Sequence, residues 1–203
     1  FKAGSREIQK DKVSALSSGL LVMKFGGTSM GSAERMKIAA GICSEQAKTR
    51  PVVCVVSAMS KITDLLLDSL RKAEAGDRTD LNDNLQSLRK RHHEARLALL
   101  PANAQAETEK GIEGLIGEFE RITSGVLMLG ERPARSVDEA IAVGERLSAL
   151  LLASYLESEG VRGVAVNAAS CVVTDAVFGG ASPLMDPTRD KCAKVLRPLL
   201  DAG

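Results

Sequence analysis

The apolar run Leu20-Leu21-Val22-Met23 ends directly on Lys24-Phe25-Gly26-Gly27-Thr28-Ser29. A run of this kind, stopped by a lysine and turned through two glycines, has the layout of a strand feeding an anion-binding loop. Glycine lets backbone N–H groups approach an anion closely and permits positive φ. Lys24 adds a mobile positive charge at the strand end. A helix starting near Ser32 aims its positive dipole end at the same place. Strand, Gly-Gly turn, hydroxyl and helix start together point to phosphate, and to a nucleotide as its carrier. The Walker spacing is absent, because the lysine precedes the glycines, and G-x-G-x-x-G is absent as well. Gly26-Gly27 alone reads as a tight strand-to-helix connection. Lys24 and Ser29 on either side favour the functional reading.

A second β-rich run, Pro51–Val56, is apolar on both faces and suits a central parallel strand. Between the two runs, Ser32 to about Lys48 reads as a helix, with Ser32 as N-cap and Met36, Ala39, Ala40 and Cys43 as its apolar stripe. Strand, helix and strand in this order make a right-handed βαβ unit. Val164–Asn167 reads as a third strand, and Cys171–Asp175 as a strand or an irregular piece. The expected fold is therefore α/β, a three-layer α/β/α arrangement around a mainly parallel sheet. It is expected to be incomplete at its C-terminal end, since the chain stops at Gly203 where the alternation calls for another strand. The start at Phe1 rather than Met suggests a missing N-terminus, and residues 1–18 read as a tail or surface helix.

Helices are expected over Thr63–Ala75, Asp77–Leu100 and Glu107–Leu129, with no strand among them. They read as a helical insertion or lid over about residues 63–129. Ser136–Glu159 reads as a further helix, N-capped by Ser136 with Glu139 completing a capping box. Thr188–Asp201 reads as the last.

Composition excludes several classes. A net charge of +1 gives no general pull toward nucleic acid or an anionic membrane. Aromatic residues are 2% with no Trp, too few for base-stacking platforms. No apolar stretch is long enough to span a membrane, and no apolar signal core opens the chain. Cys43, Cys54, Cys171 and Cys192 include no C-x-x-C pair, so they read as buried free thiols of a reducing cytoplasm. The basic run Arg89-Lys90-Arg91-His92-His93 could mark a phosphate patch, but Glu94 and nearby acids favour a solvated helix face. His92 and His93 are adjacent, point to different sides of a helix and make a poor metal pair.

Three further segments carry chemistry. Ser57-Ala58-Met59-Ser60-Lys61-Ile62-Thr63 lies just past the carboxyl end of the second strand, where open α/β sheets bind ligands. Gly144-Glu145-Arg146 lies mid-helix, where a glycine costs roughly 1 kcal/mol relative to alanine and permits a close approach. Glu145 reads either as a half-exposed acid paired with Arg146 or Arg135, or as a carboxylate turned inward to hold an ammonium group. Thr174–Ala181 is a polar, Gly-rich loop with one aromatic, Phe178.

Together these segments resemble the aspartate kinases of the amino-acid kinase superfamily. Lys24-Phe25-Gly26-Gly27-Thr28-Ser29 resembles that family's opening signature, and Val56-Ser57-Ala58-Met59 with Ile62-Thr63 its second-strand motif. Gly144-Glu145-Arg146-Leu147-Ser148 resembles its G-E-x-x-S helix, and Thr174-Asp175 with Phe178-Gly179 and Ala181 its T-D-x-x-F-G-x-A loop. The resemblance makes residues 19–203 the N-terminal lobe of an amino-acid kinase domain. It implies ATP-dependent phosphorylation of the L-aspartate side-chain carboxylate, the first step toward lysine, threonine and methionine. Lys24 would act on the phosphoryl group, with Phe25, Gly26, Gly27 and Ser29 around the nucleotide phosphates. Ser57, Thr63, Glu145 and Phe178 would bind aspartate. Mg²⁺ would arrive with ATP rather than in a protein cage, and homo-oligomers are common. Family members run to roughly twice this length, and their G-R-G-G-S-D segment is not among these residues. The fragment alone is therefore expected to be a poor catalyst. Another amino-acid kinase specificity, or a non-catalytic binding or assembly module, are the alternative readings.

Overall fold

The structure, a computed structural model, describes residues 19–202. The expected N-terminal tail lies outside the described residues. Strand β1 (Leu21–Phe25), helix α1 (Ala33–Ala47) and strand β2 (Val52–Val56) come first. The two strands pair in parallel, with Met23 opposite Cys54 and Phe25 opposite Val56. Ser32 caps α1, its hydroxyl accepting from the Arg35 N–H at 3.4 Å. Met36, Ala39, Ala40 and Cys43 are buried, as the stripe requires. Because strand side chains alternate, Met23, Phe25, Cys54 and Val56 turn toward the core. Val22 and Val55 face the other way and are exposed, so among the described residues one face of the sheet is open.

Helices α2 (Ile62–Glu74), α3 (Arg78–Leu99) and α4 (Ala102–Leu129) form the expected helical layer without a strand among them. Helix α4 starts five residues earlier than the sequence reading places it, directly behind Pro101. Helix α5 (Ala134–Ser158) packs along α4 and crosses α2. The buried side chains of Ile112, Ile116 and Phe119 on α4 and Leu147 and Leu151 on α5 are fully enclosed. Each such side chain contributes about 1.5–3 kcal/mol of burial free energy. Arg146 reaches from α5 to Glu118 on α4 with two bonds, at 2.5 and 3.1 Å.

Three local expectations are corrected. The Ser136–Glu139 capping box does not form, because Pro133 precedes the first turn and starts the helix two residues earlier. Glu139 instead accepts from Arg135 at 3.1 Å. Val164–Asn167 is not a strand: among the described residues no neighbour pairs with it, and Val164 is half exposed. A strand without a partner leaves its backbone groups to water and has no ladder to define it. The basic run is not a solvated face. Arg89 pairs with Glu113 and Glu120 on α4, His93 with Glu113 at 2.7 Å, and only Lys90 turns to Glu94. A helix packed in a layer must bury one face, and here that face includes charged groups satisfied by the neighbouring helix.

After α5 the chain runs irregularly through one short helical turn (Ala168–Ser170) into α6 (Met185–Asp201). The four cysteines are free thiols. Cys43 and Cys54, far apart in sequence pattern, bring their sulfurs to 2.9 Å between α1 and β2. The thiol shared with Cys54, together with burial, pushes Cys43 up.

His92 is fully buried on α3, its Nδ1–H donating to the Leu88 carbonyl at 2.8 Å and its Nε2 unpartnered. Burial, with smaller contributions from Arg91 and His93 and against the Leu88 hydrogen bond, lowers its pKa to about 4. The unfolded chain then binds a proton that the folded chain refuses. Stability is therefore expected to fall as pH drops from about 6.5 to about 4, by up to roughly 1.4 kcal/mol per pH unit. Urea denaturation of the wild type and His92→Leu across that range checks this. The difference between the two curves should change with pH over that window and be flat above pH 7.

Gly144 is a second test of packing. A Cβ there would lie 2.9 Å from the Ala58 Cβ, 3.2 Å from Ile62 and 3.3 Å from Leu66. Gly144→Val is expected to cost about 1–3 kcal/mol by overpacking. Gly144→Ala should cost less, since alanine returns about 1 kcal/mol of helix propensity. A Gly144→Val chain as stable as wild type in urea would contradict the contact.

Candidate functional site

The loop after β1 is closed by two of its own hydrogen bonds, Met30 N–H to the Gly26 carbonyl at 3.0 Å and Gly31 N–H to Thr28 at 3.3 Å. The N–H groups of Gly27, Thr28 and Ser29 have no acceptor among the described residues. Successive unpartnered N–H groups in a turn form an anion-binding concavity. The Arg35 guanidinium donates to the Thr28 carbonyl at 2.7 Å and holds the loop to α1. Glu34 sits in the first turn of α1, where its own backbone N–H and the Ser32 hydroxyl hold its carboxyl below the usual range. That carboxylate offsets part of the helix dipole's attraction for an anion.

Lys24 lies opposite Val55 in the ladder and is exposed. It makes no ion pair among the described residues. Phe25 points to the other face of the sheet. An open groove of about 270 Å³ lies there, lined by Phe25, Thr28, Ser29, Arg35, Ile38 and Ile42. Its lining is mostly apolar and does not include Lys24.

The loop after β2 is pressed against the glycine loop. The Ser57 N–H donates to the Phe25 carbonyl at 3.0 Å. A Cβ on Gly27 would touch the Ala58 carbonyl at 3.4 Å, and one on Gly31 the Ser60 Cβ at 3.4 Å. Ala58 and Met59 are buried, whereas Ser57 and Thr63 are half-buried. The loop turns into α2 at Lys61, whose φ of 62° is left-handed. A non-glycine residue there is uncommon and carries strain.

Helix α5 reaches the same segment from the other side. Gly144 contacts Ala58, Ile62 and Leu66, and Glu145 follows it on the helix. Neither pairing read from the sequence forms. Arg146 is turned to Glu118 and Arg135 to Glu139. Glu145 is half-buried and makes no ion pair among the described residues. One turn on, Ser148 is fully buried with an unpartnered hydroxyl.

Phe178 stands apart from this junction. It is half exposed, with the Arg135 guanidinium 5.8 Å from its ring centre. The Gly179 N–H donates to Asp138 at 2.8 Å. The Asp175 carboxylate closes the loop by accepting from the N–H groups of Val177 and Ser182. The loop thus rests on the first turns of α5. At about 1.5 Å rise per residue, Asp138 lies roughly 9 Å along the helix from Gly144.

The structure therefore brings the Gly27–Gly31 loop, the Ala58–Ser60 segment and the Gly144 turn into contact, and leaves Phe178 at the helix start. Sequence reasoning missed Arg35 and Asp138. Asp138 reads locally as one more acid in a first turn, and its partner lies 41 residues away. Among the described residues no three His, Cys, Asp or Glu side chains cluster to hold a metal ion. Among them, too, no helix is long and apolar enough to cross a membrane.

Comparison with known proteins fits this geometry. The amino acid kinase family profile matches residues 19–203. Aspartokinase 2, chloroplastic, of Arabidopsis thaliana is 36% identical over 139 residues, covering 68% of this chain and 25% of the relative. Lysine-sensitive aspartokinase 3 of Escherichia coli is 28% identical over 191 residues, covering 92% of this chain and 39% of the relative. The crystal structure of E. coli aspartokinase III in complex with aspartate and ADP superposes with a TM-score of 0.79 at 25% identity, over 91% of this chain and 39% of that one. The chain spans well under half the length of these relatives. With the profile matching from Gly19 to Gly203, the chain belongs to the amino acid kinase family.

Proposed function

We propose that residues 19–203 are the phosphate- and aspartate-binding lobe of an aspartate kinase. The observation that carries this reading is the junction at Ala58, where the glycine loop and the Glu145 turn meet across one short segment. Its likeness to the aspartate- and ADP-bound E. coli enzyme supports the choice of ligands.

The reaction transfers the γ-phosphoryl group of ATP to the L-aspartate side-chain carboxylate. One carboxylate oxygen attacks phosphorus, the bond to the ADP oxygen breaks, and 4-phospho-L-aspartate leaves with ADP. The nucleophile is already ionised, so the site needs no general base. It must align the two reactants and neutralise charge on the transferring group. Lys24 supplies a cation that makes no ion pair among the described residues. Gly26, Gly27 and Ser29 offer N–H and hydroxyl donors to the phosphates, beside Phe25. Glu145 holds the α-ammonium group, which selects an amino acid over a plain acid. Ser57 and Thr63 bond aspartate near its reacting end, and Phe178 borders the pocket from the start of α5. Mg²⁺ enters with ATP and neutralises phosphate charge. The activity belongs to the first step of lysine, threonine and methionine biosynthesis, in the cytoplasm and in a homo-oligomer. The G-R-G-G-S-D groups of the family lie outside these 203 residues, so this chain alone turns over slowly or not at all.

Titration calorimetry on the chain tests the reading. Loss of a charged hydrogen bond costs about 1.5–3 kcal/mol. Glu145→Gln is therefore expected to weaken L-aspartate at least about tenfold and to leave ATP unaffected. Lys24→Met should do the converse. Equal aspartate affinity in Glu145→Gln would sink the assignment, as would tighter binding of glutamate, acetylglutamate, carbamate or UMP. An ADP-release assay checks the last point. Turnover near the kinase range of about 1–100 s⁻¹ by this chain would contradict its being part of a site.

A further inference from the structure

The basic run on α3 holds one residue that the helical layer does not account for. Arg89, Lys90 and His93 all have carboxylate partners. Arg91 has none among the described residues. Its guanidinium instead crosses to the loop after β2 and donates to the Ser60 carbonyl at 2.6 Å. The two residues are 31 positions apart in the chain.

Ser60 sits at a sensitive place. It precedes Lys61, the one non-glycine residue with positive φ among the described residues. A backbone held in that region needs support from outside the turn. Two contacts supply it from within the turn's surroundings. The Ile62 N–H closes the turn onto the Met59 carbonyl at 2.9 Å, and Gly31 packs against Ser60 from the phosphate loop. The third is Arg91. An arginine that donates to a carbonyl makes a charge-assisted hydrogen bond, stronger than a neutral one. A carbonyl so held cannot rotate without breaking that bond.

We propose that Arg91 is a positioning residue: it latches the Ser57–Thr63 loop from the helical insertion and sets the substrate-binding geometry of that loop. The role in substrate binding rests on the function proposed above. The insertion then does more than cover the core. Its basic run divides between holding α4 and holding the site loop. Ser57 and Thr63 flank the latched carbonyl, and the glycine loop leans on the same turn. Loosening Ser60 therefore shifts both aspartate contacts while leaving the α3–α4 ion pairs intact.

The test uses the 203-residue chain with Arg91→Met, Arg91→Lys and Arg89→Met. Amide hydrogen exchange reads the loop, and calorimetric titration with L-aspartate reads its function. Arg91→Met should speed exchange at residues 57–63 and weaken aspartate at least tenfold, with an unchanged melting temperature. Arg91→Lys, which keeps a donor and the charge, should restore affinity to within threefold of wild type. Arg89→Met, which breaks the bonds to Glu113 and Glu120, should leave aspartate affinity unchanged. Unchanged exchange at residues 57–63 in Arg91→Met overturns the latch. So does faster exchange spread evenly through α2 to α5, which marks a general structural role. A wild type that binds aspartate, with an Arg91→Met that binds equally well, overturns the positioning role alone. A wild type that fails to bind aspartate overturns the function proposed above, and the positioning role with it.

Discussion

Ala58 sits between two glycines and leaves no room for a side chain at Gly144. Its carbonyl lies against Gly27 and its methyl against Gly144, so the strand-end loop, the β2 loop and the middle of α5 are held at van der Waals distance. Any side chain at Gly144 forces one of the three to move. Helix α5 gives up helix propensity at that position and gains a fixed crossing over α2. Of the charged groups proposed for the site, Glu145 follows the Gly144 contact directly on the helix, and Lys24 lies on the exposed face of the sheet.

The surrounding helices give that junction a rigid frame. Phe119, Ile112 and Ile116 on α4 fill the space against Leu147 and Leu151 on α5. Arg146 spends its charge on Glu118, and Arg135 on Glu139. Glu145, without an ion-pair partner among the described residues, is adjacent to the glycine that sets the crossing. Unsatisfied charge at the edge of a packed junction is the arrangement expected of a binding group.

Much of this was legible in the residues. The βα unit followed from an apolar run, a Gly-Gly turn and Ser32 as a cap, all of which are local signals. The helical layer followed from apolar spacing at Leu66 and Leu70 and at Ile112, Ile116 and Phe119. The failures share a cause, since each needed a partner distant in the chain. Val164–Asn167 has the composition of a strand but no neighbour to pair with. Arg89 and His93 read as a solvated face because their carboxylates lie on the next helix. The meeting of Cys43 with Cys54, and of Asp138 with Gly179, is fixed by packing and not by spacing. Ser136 had the right chemistry for a cap, yet Pro133 reached the helix first.

The central claim is that the glycine loop and the Glu145 turn open onto one shared space around Ser57–Thr63. Mapping amide chemical shifts of the isotopically labelled chain during separate additions of L-aspartate and ATP tests it most directly. The account expects aspartate to move residues 57–63 and 144–146, ATP to move residues 24–31, and each ligand to perturb the edge of the other's set. Shifts confined to two unconnected surfaces, or centred on the apolar groove at Ile38 and Ile42, would contradict it.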